Sequence, residues 1–547
     1  MSSSEGSPAI PRTSFADSIY IHADILTGEG LDFGRAERAS ALAVREGVIV
    51  AAGSDAEILK ERRGPNTEVV DLHGNFVMPG FNDAHVHLAS AGLEKLRIDL
   101  LNCKSLQEMQ NRIHAAAAAA TPGTWLQGRG WDHTLWRSIK LPTRFDLDEV
   151  TLAHPAIFTR VDGHIAIVNS AAFAAAGIDR DTADPLGGKF DRSPSGELTG
   201  IVRENAVGLI YSHVPPPTAP QRRRALELAT QDAIRHGITS VQDYSTWDDF
   251  LVLEQMEREG ALPLRITEWL SFDDSLEVLE AHRAAHPADD LMLHTGMLKG
   301  FMDGSLGSRT AALLAPYSDD PGNSGIPLYE QERLNRMTIE RAKAGFQIGF
   351  HAIGDRAVEM ALNAFAAVEK AGYGNDLRFR IEHAQVTGPT DFERFRRVRV
   401  IASMQPNHLL TDMRWAEKRL GPERAKYSYA WKAFLDAGVP LAFGTDYPVE
   451  PITPFRGLYA AVTRKNEAGT EEYFPEQKVT IDEAIAAYTE GAAYAEFEER
   501  TKGKLKPGEL ADFVVLDHDI ARIEPQEILE TRVLRTVIGG RTVFEAK

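Results

Sequence analysis

Along residues 1–79, short apolar runs rich in β-branched residues alternate with Gly, Asp and Asn: SIYIHADILTG, ALAVREGVIVAAG and TEVVDLHGNFVMPG. This period and these turn residues predict strands rather than helices. Residues 497–547 return to the same texture with GELADFVVLD and VLRTVIGGRTVF. Two strand-rich segments at opposite ends predict one β-sandwich composed of 1–79 and 497–547; the alternative is two separate caps. Between them, across 80–496, strand-like runs alternate with helical ones, the mark of a parallel α/β architecture. Eight runs qualify as its strands: VMPGFNDAHV, GITSVQDYS, LRITEWLSF, MLKGFMDG, FQIGFHAIG, FRIEHAQ, VIASMQPN and PLAFGTDYP. Eight is the number that a (β/α)8 barrel of the TIM type needs. Segments such as QRRRALELATQDAIRHG and DRAVEMALNAFAAVEKAG read as the intervening helices, each stopped by Gly.

Spacing refines this picture. A barrel of ~250 residues gives ~31 per βα unit. His351 to His383 is one such unit, His383 to Asp446 is two, and Lys299 to His351 is one plus the loop PYSDDPGNSGIPLYE. From His87 to the second strand, near residue 240, the gap is far longer. Residues 100–220 therefore read as a subdomain inserted after the first barrel strand. An insertion there emerges at the C-terminal face of a barrel, so it is expected to cover the active site.

Bulk composition excludes several classes. The chain has 547 residues, 43% of them hydrophobic, enough for a large core and not a disordered composition. It has 60 Lys and Arg against 79 Asp and Glu, a formal charge of −19, which disfavours nucleic acid and anionic membrane as partners. Cys103 is the only cysteine, so internal disulfides and thiolate metal clusters are excluded. The opening MSSSEGSPAIPRTSFADS lacks an apolar core of the signal-peptide kind, and AAAAAA at 115–120 is too short to span a bilayer and reads as a helix. The expected setting is cytoplasmic, with a small-molecule substrate; a homodimer is compatible with it.

Candidate chemistry lies at the strand ends, where barrel enzymes place it. FNDAHVHL puts His85 and His87 two residues apart, on one face of a strand. Alone, the pair reads equally well as two hydrogen-bonded histidines. The fourth strand adds Lys299, the fifth His351, the sixth His383 and the eighth Asp446. Four histidines and an aspartate in register with the barrel period point to a metal site.

FNDAHVH, MLKGFMDGSLGSRTA, FHAIGDRAV, RIEHAQ and FGTDYPVEPITPF together resemble the amidohydrolase superfamily. GWDHTLWRSIKLPTRFDLDEV and VDGHIAIVNSAAF resemble its YtcJ-like branch, to which N-substituted formamide deformylase belongs. The resemblance implies one or two divalent ions, usually zinc. His85, His87 and Asp446 would hold the first, and His351 and His383 the second. Lys299 matches the place of an N-carboxylated lysine that bridges both; the alternative is an ordinary lysine with its ammonium in solvent. The ions would activate a water and polarise a carbonyl, with Asp446 moving the proton. Trp131, Asp132 and His164 in the insertion, and Asp303 and Arg309 after the fourth strand, are candidate substrate contacts or supports. Structural roles serve them nearly as well.

The implied reaction is hydrolysis of an amide or N-substituted formamide C–N bond. A deaminase of the same superfamily usually carries Glu three residues after the strand-five histidine; here Gly354 stands there. A third reading, a scaffold without chemistry, fits poorly with six competent residues at the ligand positions.

Overall fold

The computed structural model describes residues 15–31, 34–137, 140–161, 163–374 and 376–547. The signal-peptide reading rested on residues 1–18, of which 1–14 lie outside the described residues. Two compact units emerge, one of residues 1–89 and 229–547, the other of Ser90–Leu228.

In the larger unit eight strands form one parallel sheet in chain order: β1 (Phe81–Val86), β2 (Ile238–Asp243), β3 (Arg265–Ser271), β4 (Leu293–Phe301), β5 (Ile348–Ala352), β6 (Arg380–His383), β7 (Ile401–Met404) and β8 (Leu441–Phe443). All eight predicted strands are present. β1, β2, β6, β7 and β8 are buried along their whole length. Parallel strands covered on both faces are read in sequence as continuous apolar runs. The barrel is nearly closed: beyond β8 the chain meets β1 through Asp446 N–H donating to His85 O at 2.8 Å and His87 N–H donating to Tyr447 O at 2.8 Å.

Helices form where the period changes to 3.6. Trp247–Arg258 starts at Thr246, whose side chain accepts from Asp249 N–H while the Asp249 carboxylate accepts from Thr246 N–H, a capping box. Asp355–Lys370 buries Val358, Ala361, Leu362 and Phe365 on one stripe and stops before Gly372, which takes a φ of +85°.

Strands from both chain ends share one core. Phe513–Leu516 pairs antiparallel with Phe76–Pro79, and a second sheet is built from Ser18–Ile21, Ala41–Arg45, Val48–Gly53 and Glu68–Asp71. Leu42, Ile49, Val77, Phe513 and Val537 pack together between the sheets. Arg265, at the start of β3, holds Asp512 with Nε–Oδ2 2.6 Å and Nη2–Oδ1 3.0 Å, fixing these strands to the foot of the barrel.

The inserted unit carries a six-stranded sheet in the order Gly188–Arg192, Leu198–Glu204, Ile165–Val168, Ala156–Arg160, Leu126–Trp131, Ile98–Asp99. The alanine run lies in the helix Leu106–Ala119, whose Met109, Ile113 and Ala117 pack with Trp131 and Phe158. The unit extends beyond the expected 100–220 at both edges because each boundary falls inside a helix, Leu88–Leu96 and Ala219–Arg235. A continuous helical pattern gives no boundary signal. Among the described residues no helix is long and apolar enough to cross a membrane.

Candidate metal centre

His85 is 1% exposed at the end of β1, and its Nδ1 lies 3.0 Å from Glu382 Oε2. Donation from Nδ1 leaves the Nε2 lone pair facing the barrel interior. His87 repeats the arrangement, with Nδ1 3.0 Å from Tyr244 O. Their Nε2 atoms lie 3.7 and 3.2 Å from Asp446 Oδ1. Two ligands each about 2.1 Å from one tetrahedral zinc would lie roughly 3.4 Å apart. Asp446 has a φ of +60°, and its N–H bond to His85 O turns the carboxylate back over β1. Burial would raise this carboxyl, but His85, His408 and His87 outweigh it and hold Asp446 well below the ordinary carboxylate range.

Sequence reading missed His408. It sits one residue into the helix Asn407–Leu420 that follows β7, not on the strand itself, and places Nε2 3.1 Å from Asp446 Oδ2. The hydrogen bond to Asp446 overrides burial and pushes His408 up to about 9. Only its position just beyond a barrel strand in QPNH could have marked it. Ligand-competent atoms then converge in two groups that share the aspartate: His85, His87 and Asp446, and His383, His408 and Asp446. Within each group the atoms lie within 4.8 Å of one another.

His383 ends β6, and its Nδ1 is buried with no hydrogen-bond partner. An orphaned imidazole nitrogen beside a carboxylate is what a metal ligand shows when the ion is left out of account. Burial, then His351, drives the His383 pKa well below its ordinary value; burial and Lys299 take His85 to about 4 and His351 to about 3. All three are neutral at pH 7, the state that coordinates. His351 was expected beside His383, and the rings are 4.5 Å apart between centroids. Its Nε2, however, lies 3.1 Å from Gly304 O, which leaves Nδ1 as the nitrogen with a lone pair.

Lys299 is 1% exposed, so its ammonium is not in solvent. Its Nζ lies 3.1 Å from His85 Nε2, the atom that would face an ion, and burial lowers it to about 8. The residues thus fit a divalent cation, given nitrogen and oxygen donors without thiolate.

The expected substrate contacts fall elsewhere in the hydrogen-bond network. Asp303 is buried and accepts from Ile353 N–H at 3.0 Å and from Gly354 and Ala312 N–H at 2.8 Å, so it clamps the backbone after β5. Arg309 pairs with Asp319 at 3.0 Å. In the inserted unit Trp131 is fully buried and donates Nε1–H to Phe158 O at 2.7 Å. Asp132 caps the turn His133–Leu135 and pairs with Arg160 at 2.8 Å. His164 is exposed and lies 3.0 Å from Glu204 Oε2. The Trp131 geometry carries an expected result: Trp131→Phe removes this buried hydrogen bond and part of the indole's packing and costs about 1–3 kcal/mol, visible as a lower denaturation midpoint with metal content unchanged.

The ligand groups form the floor of a cavity of about 370 Å³, walled by Phe301, Leu306, Ile353, Asp412 and Trp415. A larger cavity, about 550 Å³, opens at the other end of the barrel among Lys432, Leu441, Glu490 and Tyr494, away from every candidate ligand. At Gly354 a Cβ would stand 2.0 Å from Ala312 O, so no side chain fits where a deaminase-type glutamate would be required.

Comparison with known proteins agrees with this geometry. The chain is 35% identical to a putative amidohydrolase, YtcJ, of Bacillus subtilis (strain 168), over 93% of this chain and 96% of that one. It is 27% identical to an N-substituted formamide deformylase of Arthrobacter pascens, over 97% and 99%. The crystal structure of an uncharacterized metal-dependent hydrolase from Pyrococcus furiosus superposes with a TM-score of 0.78 at 32% identity, over 92% and 100% of the two chains. With residues 68–544 matching the family model described as "Amidohydrolase family", the chain belongs to the amidohydrolase family.

Proposed function

We propose that this protein is a metal-dependent hydrolase of an amide-type C–N bond, an N-acyl or N-formyl amine. The observation that carries the reading is the convergence of neutral His85 and His383 with His87 and His408 on the one carboxylate of Asp446, on the floor of a cavity. A zinc or similar ion held there supplies an acidified water and an electrophile for the carbonyl oxygen. Asp446 accepts the proton of the attacking water on a carboxylate oxygen and returns it to the leaving nitrogen. Glu382 and Tyr244 O hold His85 and His87 with Nε2 inward. Gly354 argues against the nucleobase-type deaminase alternative, since a shuttle side chain there would meet Ala312 O at 2.0 Å from its Cβ. The test is elemental analysis of the purified protein, then hydrolysis of N-formyl and N-acyl amines by metal-loaded and chelator-treated samples. Less than one equivalent of metal after reconstitution, or activity indifferent to the chelator, would end this reading.

Lys299 belongs to the same proposal as an N-carboxylated lysine. A cation 3.1 Å from the lone pair of His85 opposes a dication there. A pKa of about 8 leaves more free amine at neutral pH than an ordinary lysine has. The free amine attacks CO2, a C–N bond forms, a proton leaves, and the product is an anionic oxygen donor. Metal-stripped protein should then regain activity faster with bicarbonate in the reloading buffer, and Lys299→Ala should bind less metal. Equal recovery with and without bicarbonate contradicts it. The inserted unit is the proposed source of substrate selectivity, through exposed groups such as His164 rather than the buried Trp131. His164→Ala should shift substrate preference at constant metal content; an unchanged profile across the panel counts against that.

A further inference from the structure

The cavity above the ligand groups has an uneven charge. Its described walls include one carboxylate besides Asp446, that of Asp412, and no Lys or Arg. Asp412 lies one helical turn beyond His408 on the helix Asn407–Leu420, so it faces the same space about 6 Å further along. Its Oδ2 is taken: Tyr429 OH donates at 2.6 Å and Gln385 Nε2 at 3.1 Å. Its Oδ1 has one neighbouring donor, the Thr411 hydroxyl at 3.3 Å. That hydroxyl has a single hydrogen and lies 2.6 Å from Glu450 Oε1, so the hydrogen goes to Glu450. One lone-pair face of Asp412 is therefore left for a ligand. The two acids differ in compensation. Glu450 has Arg456 at 3.0 Å, whereas among the described residues no Lys or Arg pairs with Asp412. Burial raises the Asp412 carboxyl, and the imidazole of His408, one turn back on the same helix, is the positive group that works against that rise. Trp415 and Phe301 add aromatic faces to the walls, surfaces that attract a cation and tolerate an alkyl chain.

We infer that the substrate carries a protonated amine, or another N–H cation, a short chain away from the scissile amide, and that Asp412 is the residue that selects it. The inference rests on the amide-hydrolase reading and adds the charge class of the substrate. A monoacylated short diamine meets both ends of the site: the acyl group at the ligand cluster and the ammonium at Asp412. An N-acyl amino acid of the same length would place a carboxylate against Asp412, where the walls offer no Lys or Arg, and the like charges repel.

The experiment compares three matched compounds on metal-loaded protein: an N-formyl diamine, the N-formyl alkylamine of equal length, and the N-formyl amino acid. Each is also titrated as a ligand by calorimetry. The expected order of kcat/KM is cation over neutral over anion, with about ten-fold or more between the first two. Asp412→Asn should reduce that first ratio to near unity through KM of the cation, with the neutral compound's kcat much less affected. A cation no better than the neutral compound, or a ratio unchanged in Asp412→Asn, overturns the inference. Cation binding that depends on Asp412 without hydrolysis of any compound supports the inference and overturns the amide-hydrolase reading instead. Binding of the cation no tighter than of the anion overturns the inference whatever the rates.

Discussion

Asp446→Asn is expected to lower kcat by about 10²–10⁴-fold, the usual range for loss of a general base. The substitution keeps the size and planarity of the side chain. It removes the charge that holds both His87 Nε2 at 3.2 Å and His408 Nε2 at 3.1 Å. The amide keeps one oxygen, so one of these contacts survives as a hydrogen bond. The nitrogen of the other arm can neither accept a proton nor serve as a ligand. The two ligand groups meet at this single side chain, so part of the loss could come from a lost ion rather than a lost base. Metal content is therefore measured in the same sample as kcat. A metal-replete Asn variant with nearly unchanged kcat would show that the proton is handled by another group, and His408 is the nearest titratable candidate.

The barrel was legible because its signals are local. Each of the eight strands is a short run with apolar residues and a polar one within a few positions of its C-terminal end, and the repeat length matched the βα period. His85, His351 and His383 lie at the ends of β1, β5 and β6, and His87 and Asp446 just past β1 and β8, as the strand pattern placed them in the chain. His408 escaped because a helix start carries no alternation to point at the barrel axis; its direction depends on how Asn407–Leu420 leaves β7. Asp412 escaped for the same reason, one turn later. The substrate candidates show the opposite error. Trp131 stands beside a charged residue and a histidine in GRGWDHT, which suggests a site, yet its indole fills the core of the inserted unit together with Trp136 and Phe158. Sequence pattern distinguishes buried from exposed poorly for a large side chain with one polar atom, since one hydrogen bond to Phe158 O is enough to bury it. Asp303 shows how much depends on partners that sequence cannot reveal. Three backbone N–H groups converge on it from two segments, and that makes it a clamp.

Arg380→Met is expected to destabilise the protein by about 3–5 kcal/mol, the cost of removing one partner of a buried ion pair. Arg380 is fully buried at the start of β6 and is a hub between strands. It donates from Nε to Glu382 Oε1 at 2.8 Å and from Nη2 to Ala84 O at 2.9 Å and Ser403 Oγ at 2.9 Å; Nη1 donates to Gln242. Through these bonds it ties β6 to β1, β2 and β7. Burial alone would raise the Glu382 carboxyl, but Arg380 and then His85 bring it down to about 2 from an ordinary 4.5. A depressed carboxyl stabilises the fold fully above its unfolded value, and that contribution disappears as pH falls from about 4.5 through about 2. The shift corresponds to something on the order of 3 kcal/mol, in line with the figure for the broken pair. Without Arg380 the Glu382 pKa rises, so the acid limb of the stability curve should move to higher pH in the variant. Glu382→Gln removes the opposite charge of the pair and leaves Arg380 without its carboxylate, and it also loosens the hold on His85 Nδ1. Metal affinity should then fall about 10–100-fold, the common effect of losing a partner behind a ligand. Urea midpoints measured between pH 3 and pH 8, with zinc affinity by chelator competition, separate the two effects. An Arg380→Met protein as stable as the parent across that range, with unchanged zinc affinity, would mean that the buried network positions nothing at the metal centre.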